Sequence, residues 1–192
     1  DSKAGYNVTT PQQAWVYWNT LQHQRTAGAV FEIAMEHARR AVERAKARTG
    51  QDIDVISFAE LKSKLAYSLP KQDASLNFPE QSRLATRALI ESLGITRPTV
   101  VMGFGSIPYS AVSLRDESLR ATISEAVQPF GLGLVNYFAG ISDMSFFGEA
   151  SGDLSVVASN TPIWGTSFTL AEPAGYPCIN LGPWGRAYHH WL

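Results

Sequence analysis

The segments IDVISF at residues 53–58 and TVVMGF at residues 99–104 decide the fold that this sequence predicts. Both are expected to be strands, and the second is a continuous apolar run, as expected of a strand covered on both faces. Between them, residues 59–66 and 79–93 have the apolar spacing of helices, and a polar connector separates the two. Strands that alternate with helices in this way predict an α/β fold with a mainly parallel or mixed sheet.

Two further helices are expected before the first of these strands. Thr10-Pro11 is expected to open a helix in which Trp15 and Trp18 share one buried face. A longer helix is expected over residues 27–48, with an apolar stripe formed by Val30, Ile33, Ala34, His37, Ala41 and Ala45. At that position a packed, hydrogen-bonded His37 is favoured over a metal-binding one.

The second half of the chain continues the alternation. Asp116-Glu117 is expected to open a helix that runs to about Val127. Buried strands are expected over residues 132–138 and 177–181. The predicted fold class is therefore α/β, with a mainly parallel or mixed sheet covered by helices.

Composition and charge exclude several classes of function. The 192 residues carry 16 basic and 17 acidic side chains, for a formal net charge of −1, so we expect no nucleic-acid partner. No apolar run approaches the ~20 residues of a membrane helix and no signal peptide is visible, so we expect no membrane partner and a cytoplasmic location. The single cysteine, Cys178, excludes an intrachain disulfide and is expected in the core. The polar start at Asp1 and the aromatic-rich end at Leu192 are both expected to be cuts in a longer chain.

Two loops that follow predicted strands are the candidate site, because ligands of α/β folds bind at the carboxyl ends of strands. Gly140-Ile141-Ser142-Asp143 follows the 132–138 strand, and Gly182-Pro183-Trp184-Gly185 follows the 177–181 strand. Ser142 and Asp143 could simply cap the next helix, which does not exclude a function, because a capped strand-to-helix turn leaves backbone N–H groups aimed outward that suit a substrate carboxylate. The histidines that end the second loop, His189 and His190, are either zinc ligands or ordinary surface residues.

Other catalytic motifs are absent from the sequence. There is no Ser-His-Asp signal in a nucleophile elbow, no phosphate-binding loop and no dinucleotide fingerprint. The Gly103-Phe104-Gly105 triplet lacks a third glycine and is expected to be a bend after a strand.

The two loops resemble the last two motifs of metallopeptidase family M-20, which includes aminoacylase, succinyl-diaminopimelate desuccinylase and carboxypeptidases. The resemblance is carried by the segment from Gly140 to Phe146 and, about forty residues later, by the segment from Ile179 to His189. The RocB-like branch, linked by name to arginine utilisation, is the most similar. The segments from Tyr6 to Pro11 and from Pro162 to Gly165 also resemble that branch.

This resemblance implies that the chain is the C-terminal part of a zinc exopeptidase. Its catalytic domain would have the phosphorylase/hydrolase-like fold. Residues 1–10 would be a remnant of the inserted lid domain, and residues 11–192 the C-terminal half of the catalytic domain. The family's enzymes hold two zinc ions and hydrolyse amide bonds in peptides or N-acyl amino acids. The implied partners are such a substrate, the upstream half of the same protein and, in some members, a second copy in a homodimer.

Residue by residue, the resemblance assigns one metal ligand and one substrate loop. His189 matches the late zinc ligand, although His190 follows at once and the register could differ by one. Gly140, Ser142 and Asp143 match the loop that lines the substrate end, whereas Gly182 and Gly185 match the turn that presents the histidine. Met144 and Ser145 stand where some members have an arginine that binds the substrate carboxylate, which leaves that contact open.

The sequence lacks the rest of the family's zinc site. It has no His-x-Asp and no Glu-Glu pair, and one late histidine cannot supply the roughly four ligands that each zinc needs. We therefore expect the 192 residues to be inactive alone, with no catalytic residue of their own and no tightly held zinc. Two alternatives stay open: a non-catalytic binding or scaffold module of the same ancestry, and an unrelated doubly wound α/β ligand-binding domain with coincidental motifs.

Overall fold

The computed structural model describes most of the chain, namely residues 12–21, 25–64, 73–106, 109, 114–135, 154–169 and 175–181. In this part of the chain the helices are α1 (Ala27–Thr49), α2 (Phe58–Ser63), α3 (Phe78–Ser92), α4 (Glu117–Val127) and α5 (Ser155–Asn160). The strands are β1 (Asp54–Ser57) and β2 (Thr99–Met102), and a short 3-10 helix (Gln128–Phe130) follows α4. The α/β class is therefore confirmed at this coarse level.

The two described strands form a parallel pair. Strands β1 and β2 pair in parallel, with Asp54 opposite Thr99 and Ser57 opposite Met102. The chain passes from one to the other through α2 and α3, because parallel neighbours need a long crossover rather than a hairpin. The sequence prediction for this unit is confirmed to within two residues at most element ends.

The helix ends follow from local side-chain chemistry. Thr26 caps α1 by accepting a hydrogen bond from the Ala29 amide at 3.2 Å, and Gly50 ends the helix in the left-handed region at φ 71°. Asn77 caps α3 in the same way, with its Oδ1 accepting from the Glu80 amide at 3.0 Å. These caps satisfy backbone groups that a helix leaves unpaired at its ends.

The core lies between the sheet and the two crossover helices. Phe58 and Leu61 of α2 pack with Ala85 and Leu89 of α3, and all four side chains are buried. Partly buried residues surround this cluster, including Ile56 of β1 and Val101 of β2. Helix α1 packs on both strands and on α5. The Phe31 ring of α1 also stacks on Phe104, with 5.3 Å between the ring centroids.

Two helix predictions need correction. Residues 12–21 contain no helix, and Trp15 and Trp18 are both exposed rather than sharing a buried face. Helix α1 forms as predicted, but it buries Phe31, Met35 and Val42, whereas His37 is exposed. The expectation of a packed His37 was therefore wrong.

Two strand predictions also need correction. Residues 132–135 and 177–181 are described and neither segment contains a strand. Several of their apolar side chains are exposed, including Leu132, Val135 and Leu181. Cys178, expected in the core, is half-buried. Residues 136–138 lie outside the described part of the chain, as do the proposed lid remnant at residues 1–10 and the loop of residues 140–143.

Candidate functional site

The carboxyl ends of β1 and β2 lie side by side, which is where α/β folds usually bind ligands. The β1 end turns directly into α2 through a capping box. Ser57 Oγ accepts a hydrogen bond from the Glu60 amide at 3.1 Å, and the Ser57 amide donates to Glu60 Oε2 at 2.6 Å. The hydrogen bond from the Ser57 backbone, helped by the Ser57 hydroxyl, holds the pKa of Glu60 below its usual range. Glu60 is therefore an ionised capping residue and not a proton donor at neutral pH.

Asn160 forms hydrogen bonds to the backbone just past the carboxyl ends of both strands. Its side-chain Oδ1 accepts a hydrogen bond from the Ala59 amide at 3.1 Å, just past β1. Its backbone oxygen accepts from the Phe104 amide at 2.8 Å, just past β2. The side-chain amide also donates to the Val156 oxygen at 3.0 Å, and the residue is 5% exposed. One asparagine thus ties the end of α5 to the ends of both strands.

Gly103 allows this close approach. A Cβ built on Gly103 would lie 2.7 Å from the backbone oxygen of Asn160 and 3.2 Å from Cβ of Phe58. The first distance is shorter than real carbon–oxygen contacts, and the atom it meets is backbone that cannot rotate away. The sequence predicts a bend at Gly103, and the structure adds that any larger residue would collide with the Asn160 backbone.

Gly103→Ala is expected to lower the free energy of unfolding by about 1–3 kcal/mol, because the added methyl forces apart β2 and α5. Urea unfolding of the two chains measures the change. Gly28→Ala is the matched control, since its Cβ would lie 3.7 Å from Val156 Cγ2, an ordinary contact, within a helix that favours alanine. Equal stability of the Gly103→Ala chain and the parent chain would contradict the described packing.

The segment that follows Asn160 packs back onto α3. Ile163 is fully buried, and the Trp164 ring meets Phe168 edge to face at 5.4 Å between centroids. Ser167 Oγ donates to Gln81 Oε1 of α3 at 2.6 Å. This segment contains the Pro162–Gly165 stretch that carries part of the family resemblance. In the described structure its role is to anchor the chain beside α3.

A shallow cleft separates the extended segment 12–21 from α3. Its walls include Trp15, Arg83 and Arg87. Each arginine is paired within α3: Arg83 Nε donates to Glu80 Oε2 at 2.9 Å, and Arg87 Nε donates to Glu91 Oε1 at 2.7 Å. The hydrogen bond from Arg83 lowers the pKa of Glu80. These two ion pairs, one half-buried and one exposed, neutralise the arginines of the cleft, so the cleft does not favour a charged ligand.

All of the sequence-predicted site residues lie outside the described part of the chain: His189, His190, Gly140, Ser142, Asp143, Gly182 and Gly185. Their assignments therefore stay predictions. The feature of this part of the structure that the sequence did not predict is Asn160, which ties α5 to both strand ends. Its one local signal is its place directly before the Thr161-Pro162 pair at the end of a short helix.

Among the described residues, no group of three or more His, Cys, Asp and Glu side chains could hold a metal ion. The described residues by themselves therefore do not supply a two-zinc centre. In the same part of the chain, no helix is both long enough and apolar enough to cross a membrane.

Comparison with known proteins gives one informative match. The chain is 26% identical over 232 residues to the uncharacterized protein YqjN of Bacillus subtilis (strain 168). The match covers 100% of this chain but 42% of that protein, so the chain spans less than half of its relative's length. No family model and no solved structure matches the chain.

Proposed function

We propose that this chain is the C-terminal part of a zinc-dependent peptidase or amidohydrolase that hydrolyses an amide bond in a peptide or N-acyl amino acid. One observation carries the proposal: the Gly140–Phe146 and Ile179–His189 motifs occur in the family's order and at its spacing. The parallel β1–β2 pair and the α-helical crossover are compatible with a catalytic domain of that type. The greater length of the Bacillus relative leaves room for the missing catalytic half.

In this proposal the chain's own residues have limited roles. His189 supplies one zinc ligand, and the loop from Gly140 to Asp143 binds the end of the substrate away from the scissile bond. Gly182 and Gly185 let the backbone turn tightly so that the histidine points toward the sheet edge. When bound, zinc would lower the pKa of a water molecule and polarise the amide carbonyl. The other zinc ligands and the general base come from polypeptide outside these 192 residues.

Removal of metal tests the proposal. The proposal requires a longer polypeptide that contains residues 1–192 together with the other zinc ligands. Assayed with N-acetyl amino acids and dipeptides, this longer polypeptide is expected to lose its hydrolytic activity when a chelator is added and to regain it when zinc is restored. Residues 1–192 alone, assayed in parallel, are expected to hydrolyse none of these substrates. Undiminished hydrolysis in the presence of the chelator would rule out the zinc enzyme.

A non-catalytic binding or scaffold module of the same ancestry is the second candidate. The observation that favours it is the absence of a His-x-Asp and of a Glu-Glu pair from all 192 residues. The coding sequence upstream of Asp1 separates the two candidates. A His-x-Asp motif about a hundred or more residues upstream supports the enzyme, and its absence supports the module.

A further inference from the structure

We draw no further inference here: the strongest candidate, the exposed aromatic patch of Trp15, Tyr17 and Trp18 on the extended segment of residues 12–21 beside α3, carries nothing, because nothing in the described part of the chain shows what covers it.

Discussion

Replacing Phe58 by alanine is expected to lower the free energy of unfolding by about 3–5 kcal/mol. Phe58 is 1% exposed and lies where β1 turns into α2. Its side chain packs in the cluster with Leu61 and Leu89, and its Cβ faces the backbone of Gly103. The truncation leaves a cavity at the junction of strands and helices, which the surrounding backbone hydrogen bonds prevent from collapsing.

Urea unfolding of residues 1–192 measures this effect, with Phe130→Ala as the control. Phe130 is the same residue type but 78% exposed, so its truncation is expected to change the free energy of unfolding by less than about 0.5 kcal/mol. Similar losses for the two variants would mean that the core does not lie between the sheet and the crossover helices.

Replacing His189 by alanine in the longer polypeptide is expected to lower kcat/KM by roughly 10³-fold or more. The proposal makes His189 a zinc ligand, and loss of a ligand removes several kcal/mol of transition-state stabilisation. Rates of hydrolysis of an N-acetyl amino acid measure the loss. Thermal unfolding of the same variant, with zinc removed from both chains, checks that the fold is retained.

His190→Ala is the matched control, because it removes a neighbouring imidazole and leaves His189 in place. It is expected to retain most of the activity. Loss of activity in His190→Ala alone would move the ligand by one residue. Full activity in both variants would contradict the proposed role of the C-terminal motif.

The β1–α2–α3–β2 unit could be predicted from the sequence because each of its signals is local. Ser57 with Glu60 forms a capping box, and Asn77 with Pro79 marks the start of α3. In the described part of the chain, the strand segments at 53–58 and 99–104 pair with each other. Local propensity and tertiary packing agree throughout this unit.

Residues 12–21 form no helix although their apolar residues have helical spacing. The Trp15-Val16-Tyr17-Trp18 run consists of aromatic and β-branched residues, which have modest helix propensity. In the structure the segment packs beside Gly105, where Trp15 and Tyr17 come within about 4 Å of the position of a Cβ. Because these contacts join residues about ninety positions apart, no local sequence pattern indicates them.

The face of α1 was mispredicted for a different reason. Three of the six residues in the predicted stripe are alanines, which have little side chain to bury. The structure buries the larger Phe31, Met35 and Val42, which lie on a face rotated from the predicted one. The helix itself is confirmed, and its buried face is the one that carries Phe31, Met35 and Val42.

The candidate site could be predicted only in part. The motifs around Asp143 and His189 are local patterns, and so they can be recognised without a structure. Asn160 cannot be recognised in this way, because its hydrogen bond to Ala59 spans 101 residues of sequence. No neighbouring residue forms a motif with Asn160, so the sequence does not indicate that it lies between the ends of two strands.

Zinc analysis of the purified longer polypeptide tests whether this chain is part of a two-zinc enzyme. After dialysis against metal-free buffer, we expect about two zinc ions per chain, and fewer in His189→Ala. Residues 1–192 alone, treated in the same way, are expected to retain none. A longer polypeptide that is folded but holds no zinc, or residues 1–192 that hold zinc tightly and stoichiometrically, would rule out the proposed enzyme.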